Sequence, residues 1–167
     1  MNIFTPSAAR LNTHPVPKPD LQRFITAQQN QHAAARAELL QGRKRGHWMW
    51  YIFPQLAGLG HSSTARYYAL SGLEEASAYY HHPLLGVRLV EISSVLLALN
   101  TQRIRDIFDP PDDLKLHSCM TLFAAIPGAS PVFVQVLQKF FQGRPDQLTL
   151  DLLKKSSIRY PDQDNRG

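Results

Sequence analysis

Leucine and isoleucine recur between residues 85 and 99 at intervals of four, three, four and three positions. The residues concerned are Leu85, Leu89, Ile92, Leu96 and Leu99. This spacing follows the 3.6-residue period of an α-helix and places all five side chains on one face. The pattern therefore predicts a helix that is buried along this face. It is expected to begin near Pro83, because proline suits the first turn of a helix.

Capping residues and apolar periodicity predict further helices along most of the chain. Asp20 suits the N-cap of a run rich in Ala, Gln, Glu and Arg, and Gly42 suits the position after the end of that run. Besides segment 83–99, the predicted helices are 21–40, 62–70, 71–80, 102–108, 114–125, 131–142 and 149–155. No convincing strand is predicted. We therefore expect a single multihelical all-α domain of about seven or eight helices, spanning residues 20–155.

The two ends of the chain are expected to lie outside this domain. Residues 1–19 contain Pro15, Pro17 and Pro19 and show little periodicity, so they predict a flexible N-terminal arm. Residues 156–167 are polar and are expected to form a frayed C-terminal tail.

The most distinctive stretch of the sequence is the basic and aromatic segment from Gly42 to Gly60. Three cations, Arg43 to Arg45, are followed by a histidine and then by the run 48–53, which is apolar on every face. Such a run is either buried on all sides or forms the wall of a pocket. Pro54 ends any helix at about residue 53, so a short helical or irregular segment is predicted there.

Composition narrows the class of protein. A chain of 167 residues with 44% apolar residues suits one globular domain with a sizeable core. It has no run of eighteen apolar residues and no apolar stretch typical of a signal peptide. A single cysteine excludes an internal disulfide and predicts a cytoplasmic location.

The net charge of +5 and the pI of about 9.6 permit an anionic partner, such as a phosphate, a nucleotide or a nucleic acid. Most cations are scattered, and only residues 43–45 form a cluster. That cluster also has a structural explanation, because cations just past a helix C-terminus interact favourably with the helix dipole. No zinc finger, RNA-recognition signature or basic helix is present, so no motif supports a nucleic-acid partner.

The sequence contains no standard catalytic, metal-binding or cofactor-binding signature, so neither a metal nor a cofactor is expected. A binding pocket remains, with His47 as the candidate catalytic acid or base because its pKa lies near neutrality. Cations would attract an anion, indole rings would stack on a base or sugar, and polar side chains would complete the lining. The candidate ligand-binding residues are Lys44, Arg45, Trp48, Trp50, Gln55, Lys115 and Ser118.

Three blocks of sequence resemble domain-of-unknown-function family 1810, a family of bacterial proteins. The first is the segment 42–60 with its core HWMWYIFPQL, the second is 112–123, and the weaker third is 140–150. The resemblance covers residues 21–153 and implies a mainly helical fold with no established activity. Members are sometimes labelled calpastatin. We do not carry that label over, because this sequence predicts packing helices and lacks disordered inhibitor repeats.

Three hypotheses about function follow from these observations. The first is a site for a phosphorylated or nucleotide-like small anion, with His47 available for catalysis. The second is a helical interaction module that offers the same basic and aromatic segment to a protein or a nucleic acid. The third is a plain structural domain in which the segment only specifies packing. A concave site that contains His47, Lys115 and Ser118 favours the first, and a flat exposed aromatic patch favours the second.

Overall fold

In a computed structural model that describes residues 19–158, the chain forms nine α-helices connected by loops and one 3-10 turn. The helices are α1 Gln22–Gln28, α2 Gln31–Leu40, α3 Met49–Ile52, α4 Ser63–Tyr68, α5 Leu73–His81, α6 Leu85–Ala98, α7 Asp112–Ala124, α8 Val132–Phe141 and α9 Gln147–Ile158. The described residues contain no strand, only an isolated bridge between Leu56 and Leu70.

The prediction of a single all-α domain is confirmed, and seven of the nine described helices have seven or more residues. The predicted N-terminal arm lies outside the described residues except for Pro19. Most of the predicted tail also lies outside them, although α9 continues past the expected end of the domain to Ile158. No helix within residues 19–158 is both long enough and apolar enough to cross a membrane.

The prediction of one continuous helix over residues 21–40 is wrong, because the chain breaks at Gln29 and Asn30 into α1 and α2. The side chain of Gln28 is buried and donates to the backbone oxygen of Tyr51 at 2.7 Å and to the hydroxyl of Tyr79 at 2.9 Å. After this anchor, α1 packs against α3 whereas α2 packs against α6. Tertiary contacts thus override a run of strong helix formers.

Helix α6 lies at the centre of the fold and packs against α2, α5 and α8. The first four residues of its predicted stripe are buried, and Leu99 is half-buried just past the helix end. The ring nitrogen Nδ1 of His82 accepts hydrogen bonds from the backbone N–H groups of Leu84 and Leu85, so this histidine caps the helix. A Cβ atom on Gly86 would lie 1.7 Å from the carbonyl oxygen of Tyr80, so only glycine permits this close approach.

The predicted helix over residues 102–108 is also wrong, since only Ile104–Asp106 form a 3-10 turn. The next two residues, Ile107 and Phe108, are fully buried. A continued helix would rotate them onto different faces, whereas the irregular chain directs both into the core. The carbonyl oxygen of Ile107 accepts a hydrogen bond from the backbone N–H of Lys44 at 2.9 Å, which fixes the basic segment against this loop.

We expect Leu96→Ala to lower the free energy of unfolding by about 2–5 kcal/mol, because it removes a fully buried side chain from α6. Val87 lies on the solvent side of the same helix and is 63% exposed, so Val87→Ala should change that free energy by less than about 0.5 kcal/mol. Urea unfolding of both variants and the wild type measures the difference. Equal small losses would show that α6 does not bury its stripe.

Candidate functional site

The basic and aromatic segment is organised by the carboxylate of Glu38, in the last turn of α2. This carboxylate accepts hydrogen bonds from the backbone N–H of Arg45 at 2.7 Å, from that of Gly46 at 3.0 Å and from the indole Nε1–H of Trp48 at 2.9 Å. Burial alone would raise the pKa of Glu38. The three hydrogen bonds and the nearby charge of Lys44 outweigh burial, so the pKa lies below its ordinary value.

Two glycines allow the chain to return towards this carboxylate. Gly42 has φ of +86°, in the left-handed region, where it ends α2 and reverses the chain. Gly46 lies so close to its neighbours that an added Cβ atom would be 2.9 Å from Cδ1 of Trp48 and 3.1 Å from Oε1 of Glu38. A side chain at position 46 would therefore push the indole away from its acceptor.

One half of the segment belongs to the core. Trp48, Met49, Ile52 and Phe53 are buried, and the indole ring of Trp48 packs against the ring of Phe108 with centroids 6.3 Å apart. In this arrangement Trp48 has no exposed ring face, although it was predicted as a stacking surface. The apolar run therefore forms a short helix, α3, that is packed mainly inwards.

The other half of the segment brings two predicted ligand-binding lysines to one carboxylate. The Nζ atom of Lys44 lies 2.8 Å from Oδ2 of Asp112, and the Nζ atom of Lys115 lies 3.5 Å from Oδ1 of the same residue. Lys115 also places its ammonium group 4.6 Å from the ring centroid of Trp50, within the range of a cation–π contact. Lys44, Lys115 and Trp50 thus lie together around Asp112.

Gln55 and Ser118 form the link between this segment and α7. The side-chain amide of Gln55 donates to Oγ of Ser118 at 2.8 Å, and that hydroxyl donates to the backbone oxygen of Lys115 at 3.0 Å. Ser118 is only 2% exposed. These two predicted residues are therefore brought together, and the bonds that they form fix the loop after α3 to the helix that carries Lys115.

The remaining two predicted residues, Arg45 and His47, lie on the surface. The ring of His47 makes no hydrogen bond to any described residue, although its backbone oxygen lies 3.5 Å from the hydroxyl of Tyr51. Within residues 19–158, no group of three or more His, Cys, Asp or Glu side chains is placed to hold a metal ion. The geometry thus provides charge and an aromatic ring, without a partner that orients a catalytic histidine.

Sequence reasoning missed Glu38 and Asp112, the two acids on which the arrangement depends. Glu38 carried a usable signal, because an acid in the last turn of a helix opposes the helix dipole and needs compensating donors. Asp112 had one visible role in the sequence, as the first residue of the family-like block 112–123. Its second role was visible in the spacing of Asp112 and Lys115, which places both side chains on one face of a helix.

The surface cavities can be compared in position with the predicted site residues. Four cavities, with volumes between about 240 and 520 Å³, are lined by described residues. None of these four includes a predicted site residue in its lining. The largest of them lies between α1 and α4 and contains Tyr67 and Tyr68. The cluster around Asp112 therefore lies outside these four cavities.

Comparison with known proteins gives two matches. A family model described as "Protein of unknown function (DUF1810)" matches residues 18–153. The chain is also similar to the crystal structure of the conserved hypothetical protein Rv1873 from Mycobacterium tuberculosis, with 50% sequence identity and a TM-score of 0.79. That match covers 81% of this chain and 96% of the mycobacterial chain. No curated protein matches the sequence.

We expect Glu38→Gln to lower the free energy of unfolding by roughly 1–3 kcal/mol at neutral pH, because it removes the negative charge that strengthens three hydrogen bonds to one carboxylate oxygen and places an amide NH2 group where the other oxygen faces the backbone N–H of Gly46. Glu74→Gln is a matched control, since Glu74 is exposed in the first turn of α5 and should cost less than about 1 kcal/mol. Thermal or urea unfolding measures both losses. A similar loss in the two variants would contradict the central role of Glu38.

The difference in stability between the wild type and Glu38→Gln is expected to depend on pH. The folded-state pKa of Glu38 lies below its ordinary value near 4.5, so its contribution is complete above that value and is lost as the pH falls through the folded-state pKa. The stability difference between wild type and Glu38→Gln should therefore be constant near neutrality and shrink in acid. Unfolding curves at several pH values between 7 and the acid range measure it.

Proposed function

The chain belongs to the DUF1810 family of proteins of unknown function, and we propose that its basic and aromatic segment, residues 42–60, binds a small anion that carries a planar group. The site comprises Lys44, Lys115 and Trp50 around Asp112, with Arg45 and His47 at its edge. A nucleotide or another phosphorylated aromatic molecule has this combination of charge and flat ring.

The observation that carries the proposal is the sharing of one carboxylate by two ammonium groups. Lys44 and Lys115 contact opposite oxygens of Asp112, which leaves a net charge of +1 on the three side chains. Their side chains are only 11%, 20% and 18% exposed for Lys44, Lys115 and Asp112. Because partly buried charges are screened less than exposed ones, this excess positive charge favours an incoming anion more than a scattered surface lysine would.

The planar part of the ligand is assigned to the neighbourhood of Trp50. This indole is half-buried and lies beneath the ammonium group of Lys115. A phosphate held by Lys115 would bring an attached ring next to the exposed part of the indole, where stacking stabilises bases of any sequence. Lys115 is thus the residue that would contact both the anionic group and the aromatic part of the site.

The edge residues favour binding over catalysis. Arg45 is exposed and adds positive charge at long range. His47 is exposed as well, and none of the described residues orients its ring. A general base has to be held within reach of the proton that it removes, so the proposal assigns His47 to ligand contact.

The packing hypothesis explains the buried half of the segment. Trp48, Met49, Ile52 and Phe53 are at most 2% exposed, so their role is in the core. The half-buried state of Trp50 and Tyr51 also argues against a flat aromatic patch for a macromolecular partner. A small ligand at the edge of the core is the function that these exposures support best.

We expect Lys115→Met to abolish stabilisation by an anionic ligand and to change the free energy of unfolding of the empty protein by less than about 0.5 kcal/mol. Methionine keeps an unbranched stem to pack on Trp50, and Lys44 still neutralises Asp112. Thermal unfolding with inorganic phosphate, a nucleoside monophosphate and the uncharged nucleoside measures both effects. A ligand at a hundred times its Kd should stabilise the wild type by about 2.7 kcal/mol.

Lys154→Met is the matched control, because Lys154 is an exposed lysine on α9. This variant should respond to anions as the wild type does. The proposal would be wrong if no anion raises the melting temperature of the wild type, or if Lys115→Met and Lys154→Met respond equally. A marked loss of stability in Lys115→Met without any anion response would instead support the packing hypothesis.

A further inference from the structure

The largest of the four cavities is lined by residues outside the basic and aromatic segment 42–60. Its volume is about 520 Å³, within the range of small-molecule sites. One side is formed by Asp20 and by the α1 residues Gln22, Arg23 and Thr26, and the other by Tyr67 and Tyr68 at the end of α4. We call this cavity the tyrosine cleft.

The aromatic side of the tyrosine cleft is exposed but held in place. Tyr67 is 60% exposed, and its ring meets that of Tyr68 edge-on, with centroids 4.8 Å apart and an interplanar angle of 80°. Tyr68 in turn packs against Tyr51 at 5.2 Å and against the buried Phe24 at 5.9 Å. The two tyrosines therefore present nearly perpendicular aromatic rings to the solvent and are supported from behind by the core.

Arg23, which lines the cleft, is already hydrogen-bonded to oxygen atoms of the protein itself. Its Nη2 atom donates to the backbone oxygen of Ala69 at 3.0 Å and to Oε1 of Glu75 at 2.9 Å, and its Nη1 atom donates to the backbone oxygen of Asp20 at 2.8 Å. Its Nε atom is buried and out of reach of a ligand. Because Glu75 neutralises the guanidinium group, Arg23 offers no free charge to an anion.

The carboxylate of Asp20 is the remaining charge of the cleft. Its Oδ1 atom accepts a hydrogen bond from the backbone N–H of Gln22 at 2.9 Å, and it makes no ion pair with any residue in the range 19–158. Asp20 is exposed. The lining thus combines a carboxylate that forms no ion pair among residues 19–158 with two aromatic rings, although the chain as a whole carries a net charge of +5.

We propose that the tyrosine cleft binds a small organic cation, with its ammonium group against the rings of Tyr67 and Tyr68 and near the carboxylate of Asp20. The negative face of an aromatic ring attracts a cation, and perpendicular rings of this kind form the walls of sites for quaternary ammonium ligands. A carboxylate at the edge of the site adds a long-range attraction that a neutral ligand lacks. The ligand proposed here is a cation and the ligand proposed for the lysine site is an anion, so the two sites differ in ligand class.

Titration with choline tests the charge requirement directly. Its neutral isostere, 3,3-dimethylbutan-1-ol, has the same shape without the positive charge and is the matched control ligand. We expect choline to shift the NMR signals of Tyr67 and Tyr68 saturably, and the neutral alcohol to bind about two- to fivefold more weakly, the loss expected from one exposed cation–π contact. Equal binding of both ligands, or binding of neither, would overturn the proposal.

Three variants test the residues. Tyr67→Phe keeps the aromatic face and should retain choline affinity, whereas Tyr67→Leu removes that face and should weaken affinity about two- to fivefold. Asp20→Asn keeps an acceptor for the N–H of Gln22 but removes the charge, so it should weaken choline binding and leave the circular dichroism spectrum unchanged. Unchanged affinity in Tyr67→Leu would overturn the assignment. Lys115→Met should bind choline as the wild type does, which separates this site from the anion site.

Discussion

The conformation of the basic and aromatic segment depends on one group, the carboxylate of Glu38. It accepts hydrogen bonds from Arg45, Gly46 and Trp48, and these three groups cannot reach it unless the chain reverses at Gly42. Once the indole is fixed, the residues that follow it are directed into the core as α3. An acid at the C-terminal end of a helix is unfavourable by itself, so the three donors both compensate Glu38 and shape the loop.

Cations in this protein are used largely as internal connections. Arg36 joins α2 to α6 through Glu91, and Arg23 joins α1 to α5 through Glu75. Lys139 donates to the backbone oxygens of Leu96 and Leu97 at the C-terminal end of α6, where burial lowers its pKa. The positive net charge therefore says little about a partner, because these cations are engaged with the chain's own acids and carbonyl groups.

Two surfaces differ from this pattern in opposite ways. Around Asp112 two lysines meet one acid, so positive charge remains next to Trp50. In the tyrosine cleft the arginine is neutralised and Asp20 remains, so negative charge lies next to Tyr67. Each surface combines a charged group with an aromatic ring, and the sign of the charge decides the class of ligand proposed for it.

The sequence by itself determined the helical class of the fold and the buried stripe of α6, because amphipathic periodicity is a local property of the chain. It also identified the segment in which Lys44 and Trp50 lie, and it placed Lys115 on a helix. It did not identify Glu38 as the partner of Trp48 or Asp112 as the partner of Lys44, since those contacts join residues on different elements. Only the tertiary structure decided that Trp48 lies in the core whereas Trp50 lies at the surface edge.

The same difference between local pattern and tertiary contacts explains the two wrong helix predictions. A run of strong helix formers predicts one helix over residues 21–40, but the buried bonds of Gln28 and the separate partners of α1 and α2 break it. The loop 102–108 fails to become a helix because Ile107 and Phe108 must both enter the core. Local propensity is worth less than about 1 kcal/mol per residue, whereas burying a large apolar side chain is worth about 1.5–3 kcal/mol, so packing decides where the two conflict.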